Sequence, residues 1–161
     1  MKKMLVCAAA LVLPIANAAN PPELKEGLWS VHNQSIDNPG NKKSDVTYTL
    51  CRDHAFDQSA QALAKSVKGC TTVSEGLQGG KYSLEVHCVV AGTVIESKGT
   101  TTYQGDTSAH SESHATYAPS LAGISETTMI MDTKYVGSCP AGAQPGDQTY
   151  ADGSVIHLGK H

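Results

Sequence analysis

The sequence predicts a mainly β domain of α+β class. The expected form is an antiparallel meander, or a curved sheet or half-barrel, of about seven strands. One short helix and two disulfides complete it. Three observations predict this: apolar and polar residues alternate over most of the chain, a single stretch carries helical spacing, and four cysteines follow an export leader.

The leader comes first. Lys2 and Lys3 form a positive start, Met4 to Ile15 is an almost unbroken apolar run, and Ala16-Asn17-Ala18 presents small residues where a signal peptidase reads. Residues 1–18 are therefore expected to be a signal peptide cut after Ala18, and the protein to be periplasmic or secreted. The run is shorter than the ~20 apolar residues of a membrane-spanning helix. Cys7 lies within it and leaves with it. No stable membrane insertion is expected after cleavage, because no other long apolar segment follows.

Cleavage leaves about 143 of the 161 residues, enough for one domain with a modest core. The remaining balance is 10 basic against 15 acidic residues, so nucleic acid is not an expected partner. Aromatic residues are few, with one Trp, one Phe and six Tyr. Covalent staples suit such a chain.

Residues 19–26 read as a polar leader containing Pro21-Pro22. The domain is expected over 27–140. It opens at Gly27-Leu28-Trp29, where Trp29 and Val31 share one face of a first strand running to about Ile36. Asp37-Asn38-Pro39-Gly40-Asn41 is a turn cluster. Val46, Tyr48 and Leu50 then alternate with Thr47 and Thr49 in a second strand that ends at Cys51.

The helix follows. Asp53 is a suitable N-cap, Phe56, Ala60, Leu63 and Val67 make one apolar stripe, and Gly69 is a stop signal. The stripe is expected to pack on the sheet and close one end of the core.

Beyond it the chain reads as strands. Thr71–Leu77 and Lys81–Cys88 form a hairpin around Gln78-Gly79-Gly80. Taken as a three-residue loop, these pair Leu77 with Lys81 and set Cys70 directly opposite Cys88, within reach of a bridge. Cys51 is left to pair with Cys139, and no Cys-x-x-Cys suggests a metal site instead. Strands are expected from about Thr93 to Gln104, Thr107 to Tyr117 and Glu126 to Val136. After Cys139 the chain turns to Pro, Gly, Gln and Asp, so residues 141–161 are expected to be a flexible tail.

The sharpest chemical constellation is His110-Ser111-Glu112-Ser113-His114. Residues two apart share a strand face, so His110, Glu112 and His114 project side by side. Two imidazoles and a carboxylate are a legitimate set for zinc, copper or nickel. His110 and His114 stand ~13 Å apart along a strand, so a shared ion would need a neighbouring strand. Met129 and Met131 share a face on the last strand and are thioether candidates for copper. His157 and His161 are weak candidates. The nucleophile elbow, the His-Glu-x-x-His helix and the glycine-rich phosphate loop are all missing from the sequence, so no catalysis and no cofactor are expected.

The order Gly27-Leu28-Trp29, Cys51, Gly69-Cys70-Thr71, Cys88, Lys98-Gly99-Thr100, Tyr103-Gln104-Gly105-Asp106 and Gly137-Ser138-Cys139 resembles a family of small exported bacterial proteins known as a domain of unknown function. The likeness spans about Glu26 to Cys139. It implies an exported β-rich domain and supplies no activity or site residues. Of the family's methionine patterns this chain keeps only Thr128-Met129-Ile130-Met131.

The leading expectation is a non-catalytic exported domain that binds a small apolar ligand in a concave face, or a periplasmic protein along an edge strand. Filling of that face by Trp29, Tyr48, Leu84 and Phe56 would remove the ligand version. One alternative is metal binding through His110, Glu112 and Met129 or Met131. Another is an envelope inhibitor or stress protein acting through loop 37–43 or 118–124.

Overall fold

The computed structural model describes residues 20–158. The leader, its cut after Ala18, and His161 lie outside these residues. The strands are β1 (Gly27–Asn38), β2 (Lys42–Arg52), β3 (Cys70–Gln78), β4 (Lys81–Val90), β5 (Thr93–Gln104), β6 (Ser108–Leu121), β7 (Ile124–Gly137), β8 (Asp147–Tyr150) and β9 (Val155–His157), with α1 (His54–Lys65) between β2 and β3. All strands join one antiparallel sheet in the order β3-β4-β5-β6-β7-β1-β2-β8-β9.

The chain is thus mostly β, with nine strands rather than about seven. β3 to β7 form a meander. The first hairpin does not extend it at the β3 end but docks β1 against β7. Gly27 permits the close approach where this pairing begins, since a Cβ there would collide with the Gly137 carbonyl and the Tyr135 ring.

The two additional strands come from the segment expected to be a flexible tail. The Cys51–Cys139 bridge delivers that segment to β2. The Gly146 amide then donates to the Cys51 carbonyl at 2.8 Å, and β8 pairs with β2 through Tyr48↔Tyr150 and Leu50↔Gln148. Gln148 is buried there. A polar segment is ordered because it completes an open ladder, which composition does not reveal.

The sheet curves toward the face that carries Trp29. Tyr103 on β5 and Arg52 on β2 stand four strands apart, ~19 Å in a flat sheet, yet they line one cavity. Trp29 is fully buried at this end, Val31 is nearly so, and Leu24 and Ala109 join them. The Trp29 indole donates to the Lys25 carbonyl at 2.8 Å. Tyr135 meets the indole edge-on at 6.0 Å between centroids, and the Arg52 guanidinium lies 5.2 Å over the ring.

The helix has the expected cap, with the Asp53 carboxylate accepting from the Phe56 amide at 2.7 Å. Its apolar stripe is not inward. No residue of α1 is buried, and Leu63 and Val67 are 64% and 46% exposed. Arg52 explains the rotation. Held over Trp29, it pairs with Asp57 at 2.8 Å. That anchors the turn bearing Asp57 toward the sheet, and Gln61, Ala64 and Lys65 follow on the same side.

Candidate functional site

Each strand sends alternate residues to the concave face. On β4 these are Tyr82, Leu84, Val86 and Cys88, all partly exposed. Opposite Tyr82 and Leu84 stand Leu77 and Glu75 of β3. The hairpin is tied at its far end by the Cys70–Cys88 bridge. α1 lies above these residues, and a cavity of about 210 Å³ remains between helix and hairpin.

Leu84, Val86, Ala64 and Pro21 supply the apolar part of its wall. The polar end is a linked group. The Tyr82 hydroxyl donates to Glu75 Oε2 at 3.0 Å, and Lys65 Nζ lies 3.4 Å from the same oxygen. Burial, then the hydrogen bond to Glu75, pushes the Tyr82 hydroxyl up to about 12. Tyr82 therefore stays protonated and donates across the neutral range.

Two other recesses differ in chemistry. One of about 320 Å³ lies between residues 20–24, α1 and Tyr103, and its interior is dominated by Arg52, Asp57, His54 and glutamines. Arg52 and Asp57 are already committed to each other there. The other, about 460 Å³, is a trough on the outer face beside Lys98, Glu85, Glu112 and His114. The Lys98–Glu85 ion pair at 3.0 Å crosses it in solvent. Apolar walls with a few convergent polar groups characterise ligand sites, and the cavity under α1 has that combination.

The outer face holds the residues singled out for metal binding. His110 Nδ1 lies 2.6 Å from Asp132 Oδ1, and its Nε2 lies 3.2 Å from Glu112 Oε1. These hydrogen bonds, Asp132 first, raise the His110 pKa. The carboxylates occupy opposite ring nitrogens, so they do not converge on one point. His114 turns instead to Thr128 and Glu126, at 3.4 and 3.5 Å.

The methionines are elsewhere. Met129 pairs with Ser113 and Met131 with Ser111, whereas His110 pairs with Asp132. Opposed residues share a face, so Met129 and Met131 point to the concave side, away from His110, Glu112 and His114. This register corrects the expectation that histidine, glutamate and methionine join in one ligand set. Among the described residues, no three His, Cys, Asp or Glu side chains are grouped to hold a metal ion.

Histidine–carboxylate pairing recurs on the surface. His32 and Gln34 both reach Asp45, at 2.8 and 2.9 Å, and these contacts, Gln34 first, hold the Asp45 carboxyl below its usual range. His157 meets Asp147 at 2.6 Å. The Gln144 amide first, then His157, lowers Asp147.

Sequence reading did not single out Lys65, Glu75 or the Tyr82 hydroxyl as a group. Tyr82 was visible only as one member of an alternating face. The partnership depends on the rotation of α1 and on the hairpin register.

Residues 24–139 match the family described as a protein of unknown function, DUF3617. The chain belongs to this family. No curated protein matches it. The DUF3617 region begins at buried Leu24 and ends at Cys139, the partner of Cys51. It contains the cavity under α1 entirely except for Pro21, while β8 and β9 lie beyond it. No helix among the described residues is long and apolar enough to cross a membrane.

Proposed function

We propose that this DUF3617 protein is a non-catalytic periplasmic binding domain that holds a small apolar molecule against its concave face, beneath α1. The apolar leader motivates the compartment, and two disulfides fit an oxidising one. The observation that carries the binding reading is the cavity between α1 and the β3–β4 hairpin, with Leu84 and Val86 in its wall.

A face filled by Trp29, Tyr48, Leu84 and Phe56 would leave no room for a ligand. Trp29 is fully buried, but Tyr48, Leu84 and Phe56 keep partial exposure. The core on this face is therefore concentrated around Trp29 and Val31 of β1, with Leu24 and with Ala109 of β6, and apolar surface remains partly exposed along β4.

Methyl NMR in toluene-saturated buffer tests the reading. Saturable shifts confined to Leu84, Val86, Ala64 and their neighbours are expected. Unperturbed methyls at these positions would overturn it, leaving recognition of a protein partner as the replacement.

A further inference from the structure

We propose that the cavity under α1 selects an uncharged amphiphile, its short apolar body against Leu84 and Val86 and a hydroxyl head against Tyr82, Glu75 and Lys65. This rests on the concave-face reading and adds the chemical class of the ligand.

The polar end carries one negative and one positive side chain, joined at 3.4 Å, with the Tyr82 hydroxyl donating to the same carboxylate. A carboxylate head entering here meets Glu75, and Lys65 in the cavity wall already serves that residue. An ammonium head meets Lys65 and competes with it. The site is partly open to water, with the Lys65 side chain half-exposed, so either ion keeps some hydration but finds no uncommitted counter-charge to hold it. A hydroxyl avoids the conflict. It can donate to Glu75 Oε1, whose contact with Lys65 is a long 3.5 Å, and accept from the lysine ammonium, which has three donors.

Size restricts the body. The cavity of about 210 Å³ is smaller than the ~300–1,000 Å³ of pockets for drug-sized ligands. Leu84 and Val86 offer an apolar wall two residues long on one strand, ~7 Å. A chain of a few carbons matches that length, and a long acyl chain does not.

The test uses three probes of equal chain length, 1-hexanol, hexanoate and hexylammonium, titrated at neutral pH into the full chain purified without a tag. Methyl NMR at Leu84 and Val86 is the readout. Binding of hexanol at least tenfold tighter than either ion is expected. An ion that equals hexanol overturns the ligand class and leaves the concave-face reading standing. Failure of all three, in protein that also ignores toluene, overturns both.

Charge-altering variants check the polar end. Glu75→Gln frees Lys65 and should raise hexanoate affinity about tenfold over the original chain. Lys65→Gln, a substitution at a half-exposed helix position, should raise hexylammonium affinity in the same way. A natively folded variant of either kind with unchanged selectivity overturns the assignment of the polar end.

Discussion

Cys70 stands directly opposite Cys88, and a bulge at Val73 sets that register. From the turn, the ladder runs Gln78↔Lys81 to Ser74↔Glu85, then resumes at Thr72↔Val86 with Val73 unpaired. Without that extra residue taken up, Cys70 would face Val89. The bulge also lies on β3, a free edge of the sheet, where it interrupts a surface on which another chain could pair. Deleting Val73 should leave a regular ladder with Cys70 still opposite Cys88. Thiol titration of the unfolded variant should find no free cysteine, and its aggregation should be faster than that of the original chain. Free thiols in the variant would contradict this register.

The two bridges should differ in weight. Cys70–Cys88 closes a separation of 18 residues and Cys51–Cys139 one of 88. The chain-entropy relation gives ~3 kcal/mol for the first and ~4.5 kcal/mol for the second. The double serine variant at 51 and 139 should therefore be the less stable in urea. It should also lose protection of the β8 amides, because its bridge brings β8 to β2.

Trp29 anchors the core end of the sheet. It is fully buried, donates to the Lys25 carbonyl and packs against Tyr135 and Arg52. Trp29→Ala should cost about 3–5 kcal/mol in equilibrium unfolding. Hydrogen exchange should accelerate at Lys25, whose amide donates to the Asp106 carbonyl at 2.9 Å.

The pH response of His110 has a definite sign. Hydrogen bonds from the ring to Asp132 and Glu112 favour its charged form, so its folded pKa lies above the ordinary value of 6.5. Its contribution to stability is complete below the unfolded pKa and is lost as pH rises through the folded one. The stability lost in His110→Gln should thus be larger near pH ~5.5 than near pH ~8. NMR titration of the ring should give a midpoint above the ordinary value, and Asp132→Asn should lower it.

The legible parts of this fold were those controlled by local spacing. Alternation placed Tyr82, Leu84, Val86 and Cys88 on one face, and Asp53 marked the helix start. The cysteine pairing was also reached, although by a three-residue turn where the structure has Gly79-Gly80 between paired Gln78 and Lys81. A residue too many in the turn and an unforeseen bulge offset each other.

Long-range choices were not legible. Nothing near β1 specifies that it pairs with β7, more than a hundred positions along the chain at Leu28↔Gly137. Helical spacing identified the stripe of Phe56, Ala60 and Leu63 but not its direction, which depends on Arg52 reaching both Trp29 and Asp57. The candidate site inherits both limits, since Lys65 meets Glu75 only through that rotation and across the helix–hairpin gap.

Native mass spectrometry of tag-free protein from the cell, beside a Leu84→Trp variant, tests the binding reading most directly. Leu84 lies in the wall of the cavity, so the larger indole should occupy its space. A small organic adduct is expected on the original chain and is expected to be absent from the variant. A bare original chain, or an adduct retained equally by Leu84→Trp, would contradict that reading.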